Sequence, residues 1–110
     1  MRVEHSLGPG RLTVYLAGEL DHHSASDAVR EMDSLIDRME EKTVILDMSG
    51  VTFMDSSGIA LVLGRYNILK RRGAELSITG APDFVRHIFS LCGLERLIRI
   101  GGMAHENAVK

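Results

Sequence analysis

One cysteine in 110 residues excludes an internal disulfide, and the absence of a disulfide framework fits a reducing, cytosolic setting. That cysteine, Cys92, stands among Phe89, Leu91 and Leu94, and reads as a small core residue, not a reactive thiol. The charge is nearly balanced at -2, so there is no broad basic face of the kind nucleic acid requires. No apolar run approaches the ~20 residues of a membrane span, and no basic-then-apolar pattern opens the chain. Tryptophan is missing and methionine occurs six times, which suggests an adaptable core. What is present is ample for a packed globule: 45% of residues are hydrophobic, enough for one domain without metal or disulfide staples.

The pattern along the chain alternates between two periods. Met1 to Leu7 reads as a first strand, broken by a turn at Gly8-Pro9-Gly10. Leu12, Val14 and Leu16 then alternate with Thr13, Tyr15 and Ala17, which predicts a strand hairpinned to the first. Ser24 is the expected N-cap of a helix, with Asp27 completing a partial capping box. Ala25, Ala28, Val29, Met32, Leu35, Ile36 and Met39 recur along it at helical spacing. Val44 to Met48 is a continuous apolar run apart from Asp47, and predicts a parallel strand buried on both faces.

A second helix is predicted from Gly58 to about Arg72, with Ile59, Val62, Leu63, Tyr66 and Leu69 as its core stripe. Leu61 and Ile68 fall off that stripe, which means a wider buried face or a partner surface. Glu75 to Thr79 reads as a strand, and Pro82 as the first residue of a third helix stopped at Gly93. Leu97 to Ile100 is a last short strand, and from Gly101 onward the chain is polar and expected to fray. The order β-β-α-β-α-β-α-β predicts a single α/β domain over residues 1–110. Its sheet is mixed and mainly parallel, its helices number about three, and its first two strands are antiparallel.

The chemistry-bearing residues gather in two short stretches. Asp21, His22 and His23 together with Ser56 offer a carboxylate, a base and a nucleophile, the elements of a small serine hydrolase. The surrounding sequence does not supply the context: Met54-Asp55-Ser56-Ser57-Gly58 is not a Gly-x-Ser-x-Gly elbow. Adjacent histidines point apart on a regular element, with no Cys or His at a ligand spacing, so no metal site is assigned. Gly8-Pro9-Gly10 lacks the lysine and the strand-to-helix setting of a P-loop. Taken alone, Asp55-Ser56-Ser57-Gly58 reads as a helix N-cap with its turn, and Ser57 as the cap.

Two segments carry a resemblance. Gly18-Glu19-Leu20-Asp21-His22-His23 and the run from Phe53 to Tyr66 closely resemble the bacterial anti-sigma factor antagonists of the STAS domain family. Gly93-Leu94 followed by Ile98-Arg99 is similar to that family's C-terminal part, so the likeness covers nearly the whole chain apart from the tail after Ile100. The paired histidines and Leu63-Gly64-Arg65-Tyr66 point to the branch acting on the sporulation sigma factor F. The general stress-response branch is similar but typically carries a threonine in the motif.

The resemblance implies a binding module, not an enzyme, with no cofactor. Its partner would be an anti-sigma factor that is itself a serine kinase. Binding to the ADP-loaded kinase helps free the sigma factor. The ATP-loaded kinase phosphorylates the first serine of the motif, Ser56 here, and a serine phosphatase reverses this. The partner surface expected from the likeness comprises Glu19, Asp21, His22, His23, Asp55, Ser57, Gly58, Leu61 and Arg65. A cytoplasmic location follows. The alternatives are an antagonist in a different sigma-factor switch and the small hydrolase using Ser56 with His22 or His23.

Overall fold

Leu12, Val14, Leu16 and Leu20 are all buried, and the residues between them are not. This alternation sets the architecture of the computed structural model, which describes residues 1–102. The elements run β1 (Arg2–Gly8), β2 (Arg11–Leu20), α1 (His22–Arg38), β3 (Thr43–Met54), α2 (Ser56–Arg71), β4 (Glu75–Ala81), α3 (Asp83–Leu91), a 3-10 turn (Leu94–Arg96) and β5 (Arg99–Gly102). They form one five-stranded sheet in the order β1-β2-β3-β4-β5. β1 and β2 are antiparallel, and every later pair is parallel. Fold class and element order are those expected from the sequence.

Each crossover steps one strand in the same direction. Right-handed connections then place α1, α2 and α3 on one face of the sheet. Burial agrees: Val44, Leu46 and Met48 are enclosed, while Ile45 and Asp47 are only half-buried. The expectation that this strand is buried on both faces is therefore corrected. Its open side is polar, with Thr13, Ser77 and Thr79 on flanking strands and Asp47 accepting hydrogen bonds from the N–H (2.9 Å) and hydroxyl (2.6 Å) of Ser49. The enclosed side is lined by Ala25, Ala28, Met32 and Ile36 from α1 and by Val62 and Leu69 from α2. Burying each large aliphatic of this set contributes about 1.5–3 kcal/mol.

Other details differ from the sequence reading. α2 packs against both the sheet and α1, so its buried face is wider than one stripe: Leu61 is 2% exposed and belongs to the core. Cys92 is exposed, with its thiol donating to the Phe89 carbonyl at 3.3 Å. The stop of α3 is as expected: Cys92 is its C-cap and Gly93, at C′, turns the chain with a φ of 74°, so Cys92 leaves the helical phase. Pro82 is the N-cap of α3, and Asp83 is its first residue. β5 continues through Gly101 and Gly102. The rest of the tail lies outside the described residues.

Candidate functional site

The parallel strands β2 and β3 finish side by side, pairing Glu19 with Phe53 and Leu20 with Met54. The N–H of Asp55 donates to the Leu20 carbonyl at 3.2 Å, tying the two exits together. Each chain then turns directly into a helix. This brings the two sequence-flagged segments to one edge of the sheet.

Both turns are capped by aspartate. Asp21 Oδ1 accepts from the backbone N–H groups of His23 (3.0 Å) and Ser24 (2.9 Å). Ser24 completes a reciprocal box, its Oγ accepting from the Asp21 N–H at 3.1 Å and donating to the Glu19 carbonyl at 2.7 Å. Asp55 Oδ1 accepts from the Ser57 N–H at 2.8 Å. These findings correct the expected caps, Ser24 and Ser57. Leu20 and Met54 are the last buried strand residues, so the next residue in each case is the first free to leave the sheet. Hydrogen bonding from the Ser24 N–H above all, with that of His23, holds the Asp21 carboxyl below its ordinary pKa.

Capping by Asp55 frees both serines. Ser56 is the first residue of α2 and is exposed; its hydroxyl makes no hydrogen bond among the described residues. Ser57 is half-buried. Its position lines a shallow groove of about 530 Å³ between α1 and α2, whose walls include His22, Val29 and Leu61. His22 and His23 open α1 with their rings edge-on, centroids 6.0 Å apart, and both are exposed. Neither ring hydrogen-bonds Ser56 among the described residues, so no base-nucleophile pair is assembled. No cluster of three potential metal ligands occurs among the described residues, and none of their helices is long and apolar enough to cross a membrane.

Three of the expected surface residues lie below the surface. Gly58 is buried, because a Cβ there would sit 2.4 Å from Met54 Cγ and Sδ. Leu61 is in the core. Arg65 is 8% exposed, with Nε 2.9 Å from Asp33 Oδ1. That contact is close enough for an ion pair but lacks hydrogen-bond alignment, so it is mainly Coulombic and joins α2 to α1. Phe53, which opens the run that carries the resemblance but was not among the expected surface residues, is the opposite case: it is 48% exposed beside Glu19.

Comparison with known proteins identifies the class to which this five-stranded sheet with three crossover helices belongs. Residues 2–107 match the STAS domain family, and the chain belongs to that family. Its relatives within the family include anti-sigma factor antagonists. The anti-sigma F factor antagonist of Paenibacillus polymyxa is 36% identical over 101 residues, covering 91% of this chain and 86% of the relative. The anti-sigma-B factor antagonist of Listeria monocytogenes is 28% identical over 95 residues, covering 86% and 82%. The solved structure of the antagonist SpoIIAA in its unphosphorylated form superposes with a TM-score of 0.78 at 26% identity, covering 97% of this chain and 93% of that one. SpoIIAA of Bacillus in its phosphorylated form gives 0.72 at 25% identity, covering 99% and 100%.

Proposed function

We propose that this chain is the antagonist in a sporulation-type partner switch. Its unphosphorylated form binds an anti-sigma F factor that is also a serine kinase, in its ADP-loaded state, and frees the sigma factor. Phosphorylation of Ser56 by the ATP-loaded kinase ends the binding, and a serine phosphatase restores it. The chain supplies no catalytic group and acts in the cytoplasm. The observation that carries this reading is the position of Ser56: first residue of α2, exposed, with the capping work done by Asp55. Glu19, Asp21, His22, His23, Asp55 and Ser57 form the docking surface around it. Gly58, Leu61 and Arg65 act from beneath by fixing the first turns of α2.

The physics of the site supports a local switch. A phosphate adds about -1.5 to -2 charges at neutral pH. At a helix N-terminus the dipole favours it by ~0.3–1 kcal/mol, so the fold is not opposed. The same charge arrives beside Glu19, Asp21 and Asp55 and in the space a partner would occupy. A loss of ~3 kcal/mol in binding is on the order of a hundredfold. Similar superpositions on phosphorylated and unphosphorylated SpoIIAA accord with a switch that leaves the fold in place.

The test is incubation with the anti-sigma F factor of the same organism, Mg and ATP, followed by intact mass. One phosphate on the parent and none on Ser56→Ala is expected, with complex formation lost only in the phosphorylated parent. Phosphate on another residue, or an unphosphorylated chain that ignores the anti-sigma factor, overturns the reading. The likeness to anti-sigma-B factor antagonists favours one second reading, a stress-response switch. Binding to an anti-sigma-B factor in preference to anti-sigma F would establish it.

A further inference from the structure

Phe53 stands 48% exposed, while Val51 and Met54 on either side of it are buried. A regular strand alternates, and would have turned Phe53 to the same face as Val51, under the helices. The β2–β3 ladder shows why it does not. Gly18 pairs with Val51 and Glu19 with Phe53, so β3 carries one extra residue, Thr52, in a bulge. The bulge turns Phe53 out and returns Met54 to the core. Gly18, opposite it, adopts a φ of 105°, which favours glycine. β4 no longer pairs with β3 beyond Asp47–Thr79, so this part of β3 is an arm flanked in the sheet by β2. A local backbone irregularity thus exposes a large aromatic three residues before Ser56, against the preference for burying it.

We propose that Phe53 is the apolar anchor by which this surface docks on the anti-sigma factor, seated in an apolar socket ringed by arginine or lysine. The inference rests on the partner-switch reading above. The charge around Phe53 sets the character of the socket. Glu19 lies directly across the ladder, exposed, and its carboxylate enters no ion pair or hydrogen bond among the described residues. Asp55 follows two positions later. Rigid aromatics with large buried area dominate interface energetics when a polar rim excludes water around them. Phe53 also sets which kinase accepts Ser56, because the arm that carries it leads into the Ser56 turn.

The experiment measures binding of the unphosphorylated parent, Phe53→Ala, Phe53→Leu and Glu19→Gln to the anti-sigma F factor of the same organism with ADP. Melting temperatures are recorded alongside. Phe53→Ala should weaken binding about tenfold or more with a parental melting temperature. Phe53→Leu should recover most of the loss. In phosphorylation assays Phe53→Ala should raise KM and leave kcat close to the parent's. Glu19→Gln should slow association and flatten its salt dependence. Binding of Phe53→Ala within about threefold of a parent that itself binds overturns the anchor while leaving the partner switch intact. A parent that binds no anti-sigma factor overturns both.

Discussion

Gly58→Ala adds one methyl group directly beneath the Ser56 turn. Its Cβ would fall 2.4 Å from both Cγ and Sδ of Met54 and 3.2 Å from Cδ2 of Leu20. Non-bonded carbons rest at about 3.5–4.0 Å, so the overlap on Met54 is about 1 Å or more. Met54 is 5% exposed and cannot swing into water without losing its own packing. Two effects oppose each other. Alanine gains up to about 1 kcal/mol over glycine within a helix, and less in the first turn. Overpacking a filled site costs about 1–3 kcal/mol. Strain wins by about 1–2 kcal/mol, which for a domain of this size lowers the melting temperature by roughly 4–8 °C.

A double-mutant cycle tests the cause as well as the size. Met54→Ala alone opens a cavity and costs about 2–5 kcal/mol. In Gly58→Ala/Met54→Ala the new methyl occupies space that Met54 has vacated. The pair should then be less destabilised than the sum of the singles by at least ~1 kcal/mol. Thermal or urea unfolding of the four proteins measures this. A Gly58→Ala melting temperature at or above the parent's would refute the crowding argument. So would additivity within about 0.5 kcal/mol.

Phosphorylation of Ser56 should leave the melting temperature unchanged or raise it by no more than about 4 °C, with amide exchange protection retained; widespread loss of protection would refute a local switch. Asp21 has a lowered folded pKa, so its contribution to stability is present above the ordinary carboxylate value and disappears as pH falls through the folded one. The stability difference between the parent and Asp21→Asn should therefore shrink as pH falls through and below the ordinary carboxylate range, and a difference that grows on acidification contradicts the capping role. Asp33→Ala strands the 8%-exposed Arg65 guanidinium and should cost about 1–3 kcal/mol, tempered because the Asp33 side chain is 38% exposed. Adding Arg65→Met should recover part of that loss, whereas an Asp33→Ala variant as stable as the parent would show that the ion pair contributes nothing.

Element order and sheet type were legible because period-two and period-3.6 patterns survive in a single sequence, as in Leu12-Val14-Leu16 and Ala28-Met32-Ile36. Facts of register and of layer were not. Val44 to Met48 looks doubly buried, yet only the common direction of three crossovers decides that one face stays open; Asp47 within the run was the available signal. The caps were misplaced by one to three residues because the start of a helix depends on where its strand stops. Leu20 and Met54 are fixed by pairing across the sheet, which local sequence does not show. Phe53 escaped notice for the same reason: a bulge is a mismatch between two strands, and neither strand reveals it alone. Ser56 and Ser57 could be told apart only by resemblance, since a hydroxyl at either position can serve as a cap.

The location of the site follows from the connectivity. In a parallel sheet the helix after each strand begins at the same edge, so the N-termini of α1, α2 and α3 gather where β2, β3 and β4 end. Three positive dipole ends on one edge would ordinarily make an anion site. At α1 and α2 the carboxylates of Asp21 and Asp55 already occupy the inward positions, accepting the N–H groups of His23, Ser24 and Ser57. A phosphate on Ser56 would not displace them, because removing a cap costs about as much as the new contacts would return. It would stay outward, in the space above the two capped turns and beside Glu19 and Phe53. Its energetic effect would then fall on whatever protein docks there, and the fold beneath would hold its geometry in both states.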